Sequence, residues 1–120
     1  MQIKASIRDN VAILTLSGNF LCEPDTLKLR EKLYSLLADE TRNVVIDLNE
    51  VDCINSQGLG TLISALTTLR KAGGNLRLAR AGETVQNLLN ITRLVKVFEI
   101  YDSVEEALVS YSERGVTKEK

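Results

Sequence analysis

The sequence predicts a single α/β domain: a mixed sheet of about five strands, an N-terminal hairpin then alternating helices and strands, with about four helices. Three observations carry this. The first eighteen residues alternate apolar and polar side chains about a polar turn. Val44-Val45-Ile46-Asp47-Leu48 is β-branched or apolar at nearly every position. After each apolar segment that follows the hairpin, the hydrophobic period lengthens to that of a helix.

Ile3, Ala5 and Ile7 alternate with polar residues, which predicts a short strand with one face covered. Beyond Arg8-Asp9-Asn10, Val11, Ile13, Thr15 and Ser17 alternate with Ala12, Leu14 and Leu16, giving a second strand that ends at Gly18. Pro24-Asp25-Thr26 suits a first helical turn, and Leu29, Leu33, Leu36 and Leu37 form one stripe on a helix of about four turns. The Val44–Leu48 run reads as a central strand covered on both faces.

From Gly58 onward, Leu59, Leu62, Ile63, Leu66 and Leu69 share a helical face, which Gly73-Gly74 closes. Leu76, Leu78 and Ala79 supply another strand, and Val85, Leu88 and Leu89 a short helix entered through Glu83-Thr84. Val97 to Tyr101 is the last expected strand, and Ser103 caps a helix carrying Val104, Ala107, Leu108 and Tyr111. The domain is expected over residues 1–114, with a polar, frayed tail at 115–120.

Composition excludes much chemistry. The chain has 120 residues, 44% hydrophobic and 26% charged, and its lack of histidine removes Ser-His-Asp and Cys-His nucleophile systems. Cys22 and Cys53 are too few for a cysteine-only zinc site and too far apart for a C-x-x-C pair; both are expected to be partly buried free thiols. A net charge of −1, with bases interleaved among acids as in Arg30-Glu31-Lys32, gives no footprint for nucleic acid. No apolar run is long enough for direct membrane insertion and no signal peptide opens the chain, so a cytoplasmic protein is expected.

The informative stretch runs from Asp47 to Gly60, read as the end of a strand, a loop and a helix start. There Ser56 meets unpaired N–H groups and the positive end of the helix dipole. Asn55 and Ser56 are both favoured N-cap residues, and capping alone accounts for their types. Gly58 and Gly60 would then serve close approach of helix to sheet. A nucleotide loop is a weaker reading, since Gly58-Leu59-Gly60-Thr61-Leu62-Ile63 lacks a third glycine and a loop separates it from the strand. Asp47, Glu50 and Asp52 could hold a hard cation, although crowded surface acids are more often solvated. No cofactor and no metal is expected.

Asp47-Leu48-x-x-Val51-x-x-Ile54-Asn55-Ser56-x-Gly58-Leu59-Gly60 resembles the signature of bacterial anti-sigma factor antagonists, the STAS domain family. The resemblance covers residues 3 to 112 and includes Leu29-Arg30-Glu31-Lys32-Leu33, Lys71-Ala72-Gly73-Gly74-Asn75-Leu76-Arg77-Leu78 and Leu89-Asn90-Ile91-Thr92-Arg93-Leu94. It implies a domain without catalytic activity that binds an anti-sigma factor with serine kinase activity. That kinase phosphorylates the serine at the helix start, here Ser56, and a metal-dependent serine phosphatase reverses it.

The implied partner surface comprises Asn55, Ser56, Gln57, Gly58, Leu59, Asp52, Leu21 and Asp25, on a monomer or weak dimer. Two positions depart from the pattern. Asn55 stands where the family commonly has Asp, and Gly18-Asn19-Phe20-Leu21 replaces its Gly-x-Leu-Asp. A STAS-like subunit docking on the ATPase of a membrane transport complex is the alternative role.

Overall fold

The N-terminal hairpin joins β1 (Gln2–Arg8) to β2 (Val11–Phe20) in antiparallel register, Arg8 opposite Val11 and Gln2 opposite Ser17. Asp9 and Asn10 make the turn with φ of 52° and 67°, a left-handed conformation that short polar side chains tolerate. The computed structural model describes residues 2–20 and 25–118, without the side chains of 20 and 113–118. Cys22 and the proline of the expected first helical turn therefore lie outside the described residues.

The remaining elements are α1 (Asp25–Ala38), β3 (Asn43–Ile54), α2 (Ser56–Lys71), β4 (Asn75–Ala79), α3 (Glu83–Ile91), β5 (Glu99–Tyr101) and α4 (Val104–Lys118), the last running past Gly115. A single five-stranded sheet has the order β1-β2-β3-β4-β5, parallel from β2 onward. With strands adjacent in chain order, right-handed crossovers set α1, α2 and α3 on one face. The other face is left for α4.

The core follows this layering. Leu14, Leu16, Val44, Ile46, Leu48, Leu76 and Leu78 meet Leu29, Leu33 and Leu36 of α1, Leu59, Leu62, Leu66 and Leu69 of α2, and Val85 and Leu89 of α3. On the opposite face Val11, Val45 and Ala79 pack with Ala107, and Tyr101, Leu108 and Tyr111 border them. Residues 44–48 are buried throughout, as a strand flanked by neighbours and covered on both faces requires.

Four expectations change. β1 is covered only at Ile3, which packs partly on the core, whereas Ile7 is 54% exposed, because none of the described helices reaches over the end of the edge strand. β2 does not stop at Gly18 but continues to Phe20, and β3 continues to Ile54, the two pairing throughout with register shifts after Thr15 and Gly18. β5 is only Glu99–Tyr101, since the N–H groups of Val97 and Phe98 are committed to the carbonyl of Leu94 at 2.9 and 3.0 Å in a turn. Cys53 is an exposed free thiol, set on the part of β3 that outruns β4.

α2 ends as the glycine pair suggests. The N–H of Gly73 donates to the carbonyl of Arg70 at 3.1 Å and that of Gly74 to Leu69 at 2.8 Å, the Schellman pattern, with Gly73 at φ 90°. Ser103 caps α4 by accepting the Glu106 N–H at 3.1 Å while its hydroxyl reaches the Glu106 carboxylate at 3.4 Å.

Candidate functional site

One residue separates β3 from α2, and it is the cap. The expected loop is instead strand up to Ile54, so Ser56 follows the C-terminal end of the central strand almost directly. Asn55 is extended (φ −114°, ψ −173°); its Oδ1 accepts the Gly58 N–H at 3.0 Å and its carbonyl accepts the Leu59 N–H at 2.9 Å. Such a cap stabilises by about 1 kcal/mol.

This division of labour frees Ser56. Its residue is exposed at the first helical position, and its hydroxyl makes no hydrogen bond to a described residue. The first turn of α2 contains no acid, so the partial positive charge of the helix end is not offset there. A phosphate on that hydroxyl would meet a favourable local field.

The expected partner residues separate by burial. Asn55, Gln57 and Asp52 are exposed beside Ser56 in the chain, and Asp25 is half-buried at the start of α1. Phe20 pairs with Ile54, so the end of β2 lies beside the residue that precedes Asn55 and Ser56. Leu21 lies outside the described residues. Leu59 is only 4% exposed within the main core, so its side chain is turned inward and not toward a partner. Gly58 is buried too, with its N–H taken by Asn55. Gly60 does not mediate close approach to the sheet: a Cβ there would meet nothing within 4 Å.

Asp47, Glu50 and Asp52 do not act alike. Asp47 is buried and held by Arg80, whose Nε donates to Oδ1 at 3.0 Å and whose Nη2 donates to Oδ2 at 2.5 Å; the Asn49 N–H adds a bond to Oδ1 at 3.1 Å. Hydrogen bonding to Asp47 raises the Arg80 pKa above its ordinary value, and the charges of Asp47 and Glu50 reinforce this against partial desolvation. Asp47 is thus already neutralised, which removes it from a cation cluster with Glu50 and Asp52. Glu50 and Asp52 are exposed.

Arg80 was not among the expected residues. A lone acid in an apolar strand does call for a partner, and the β3–β4 register sets Asp47 opposite Ala79, one residue short of Arg80. Arg77 was missed as well. It is fully buried, donates through Nε to Glu99 Oε1 at 3.2 Å, and places its guanidinium 4.0 Å from the centre of the Tyr111 ring. Its position under α4 makes it part of the scaffold and not of the Ser56 surface.

A STAS domain family model matches residues 2–107. The chain belongs to the STAS domain family. Within it, a Thermotoga maritima protein provisionally named an anti-sigma factor antagonist is 31% identical over 102 residues, 85% of this chain and 90% of that one. The anti-sigma-B factor antagonist of Bacillus subtilis is 35% identical over 72 residues, 60% of this chain and 65% of its own length. A crystal structure of a Thermotoga maritima protein with the same provisional description superposes with a TM-score of 0.83 at 25% identity, covering 90% of this chain and 92% of the other. The five-stranded mixed sheet and four helices are those of a STAS domain, as the resemblance at Asp47–Gly60 implied.

Proposed function

We propose that this STAS domain is an anti-sigma factor antagonist that binds an anti-sigma factor with serine kinase activity and is switched off when that kinase phosphorylates Ser56. A metal-dependent serine phosphatase resets it. The observation that carries the reading is the exposed Ser56 hydroxyl at the α2 N-terminus, relieved of capping by Asn55. The names of its relatives support the partner class. The domain contributes no catalysis of its own; the phosphate comes from the partner's nucleotide.

The switch acts on the interface. A phosphoserine carries about −1.5 to −2 charge at neutral pH. At a helix N-terminus without acids in its first turn that charge is accommodated, so the domain stays folded. A docking surface closing over Ser56, Gln57 and Asp52 must instead desolvate the dianion. That costs several kcal/mol where no cation answers it, enough to change occupancy by orders of magnitude.

The test is a pull-down and titration with the cognate anti-sigma kinase. Ser56→Ala should bind as tightly as the parent and gain no mass with ATP, whereas the parent should gain about 80 Da, the mass of one added phosphoryl group. Ser56→Asp should bind at least tenfold more weakly, the factor that about 1.4 kcal/mol gives. Equal binding by Ser56→Asp overturns the interface mechanism. Uptake of phosphate elsewhere in the chain overturns the assignment to Ser56, and selective binding to a transporter ATPase without phosphate uptake favours the transport role.

A further inference from the structure

β1 is an edge strand, paired only with β2, and the hairpin determines which of its amides are unused. Asp9 and Asn10 form a two-residue turn with positive φ at both positions, which closes on a hydrogen-bonded Arg8–Val11 pair. Hydrogen-bonded and non-hydrogen-bonded pairs alternate along an antiparallel ladder. Gln2, Lys4, Ser6 and Arg8 therefore direct their N–H and C=O groups to β2. Ile3, Ala5 and Ile7 direct theirs to the open edge.

The side chains of the same three residues stand on the α1 side of the sheet, opposite Leu16, Leu14 and Ala12 of the main core. Between this edge and α1 lies a groove of about 560 Å³ lined by Gln2, Ile3, Lys4, Ala5, Lys28 and Lys32. Lys28 and Lys32 are one turn apart on α1, where like charges repel. None of the three lysines forms an ion pair with a described residue. A row of unused backbone donors and acceptors thus runs beside the Lys28 and Lys32 ammonium groups, which no described carboxylate answers, over a partly apolar floor; Lys4, at an alternate position, stands on the other face of β1.

We propose that this groove is a docking site for an acidic, extended segment of a partner protein, which adds to β1 as an outer strand and sets its carboxylates against Lys28 and Lys32. The outward-facing groups of β1 run from Ile3 to Ile7, about 17 Å, and match an occupant of about five residues. Charge selects the occupant. A second copy of this chain would bring lysine against lysine, and a neutral strand would leave the amines unanswered. An anionic membrane would answer the charges but not the outward N–H and C=O groups of Ile3, Ala5 and Ile7. The groove uses none of the residues assigned to the Ser56 surface, so the two proposals stand or fall separately.

The probe is a fluorescein-labelled peptide alternating Glu or Asp with Val, titrated by anisotropy against the full chain, with amide NMR shifts recorded in parallel. Controls are the same peptide with Lys in place of its acids, the same peptide with a central proline, and vesicles of mixed phosphatidylserine and phosphatidylcholine. Binding should be saturable, weaken with salt and fall at least tenfold in Lys28→Glu/Lys32→Glu. The amide shifts should concentrate at Ile3, Ala5 and Ile7.

Ala5→Pro removes an outward N–H without touching the β2 ladder and should also abolish binding. Should that variant fail to fold, the charge-reversal variant and the amide shifts still decide. Binding that survives the central proline, or shifts away from β1, overturns strand addition. Vesicle binding without peptide binding, self-association through β1, or no binding to any probe overturns the proposal.

Discussion

Arg80 grips the buried carboxylate of Asp47 through two parallel hydrogen bonds of 3.0 and 2.5 Å from the far side of the β3–β4 pair. The pair is asymmetric: the Asp47 side chain is 4% exposed and that of Arg80 41%. Removing the cation therefore strands a buried anion, whereas the cation itself would return to water easily. Arg80 also holds φ at 56°, a backbone conformation that costs non-glycine residues about 1 kcal/mol, and the ion pair helps maintain it.

Arg80→Ala should lower stability by roughly 2–3 kcal/mol, below the range for fully enclosed pairs because Arg80 is partly solvated. Arg80→Lys should fall between, keeping the charge and losing the two-pronged geometry. Urea denaturation checks both. Equal midpoints for Arg80→Ala and the parent would mean that water satisfies Asp47 in the folded state.

Tyr111 makes stability sensitive to alkali. Its hydroxyl donates to the carbonyl of Val44 at 2.8 Å and accepts the N–H of Val44 at 3.3 Å, tying α4 to the sheet. Burial raises its pKa well above the ordinary tyrosine value, partly opposed by the charge of Arg77 against the ring. The unfolded chain releases this proton near pH ~10 while the folded chain keeps it. Stability from this group is therefore complete below about pH 10 and declines above it, by at most about 1.4 kcal/mol per pH unit. Tyr111→Phe should lower stability by about 1–2 kcal/mol at neutral pH and flatten the decline in alkali. Urea midpoints at about pH 8 and pH 11 test this. An equally steep decline in Tyr111→Phe would assign the alkaline sensitivity to other groups.

Both pairs show where the sequence is legible and where it is not. The hairpin, the central run Val44–Leu48 and the helical stripes were readable because each buries one face, or two, in a regular period. β3 beyond Leu48 was not. Its pairing with β2 shifts register so that Asp47–Glu50 on β3 spans Thr15–Ser17 on β2, and Val51–Cys53 spans Gly18–Asn19. Each shift adds a residue to β3 and breaks the alternation, so Asn49, Glu50, Asp52 and Cys53 look like loop. Ser56 could be placed because a helix start needs a cap and the resemblance names an acceptor. That Asn55 alone takes the cap is a matter of backbone direction, which composition does not encode. Arg77 and Arg80 were hidden for a different reason: their partners lie on other strands and helices.

The glycines of the signature and of the α2 C-terminus should respond oppositely to alanine. At Gly74 a Cβ would sit 1.8 Å from the carbonyl oxygen of Arg42, a backbone atom that the Asn75 N–H also uses, at 3.2 Å. No side-chain rotation relieves that clash. Gly74→Ala should cost about 3 kcal/mol or more, or prevent folding. At Gly60, exposed inside α2, a Cβ meets nothing, and Gly60→Ala should stabilise by about 0.5–1 kcal/mol through helix propensity. Thermal midpoints separate the two. A destabilising Gly60→Ala would show that the folded monomer needs a glycine at this position after all, against the open space around its Cβ position.

Asn55 and Ser56 should be coupled through the helix end. Asn55→Ala removes the acceptor for the Gly58 N–H and should cost about 1 kcal/mol. Asn55→Asp keeps the acceptor and adds a negative charge where the α2 dipole favours one. It should match the parent or exceed it by a few tenths of a kcal/mol at low salt, and lose that gain as salt rises. The gain should shrink when Ser56 is itself negative, because two adjacent anions then share one helix end. In a double-mutant cycle with Ser56→Asp the two changes should be less than additive by about 0.5 kcal/mol. Strict additivity would place the two charges in separate fields, and the neutral Asn55 would then offer the phosphate at Ser56 no easier seat than an aspartate would.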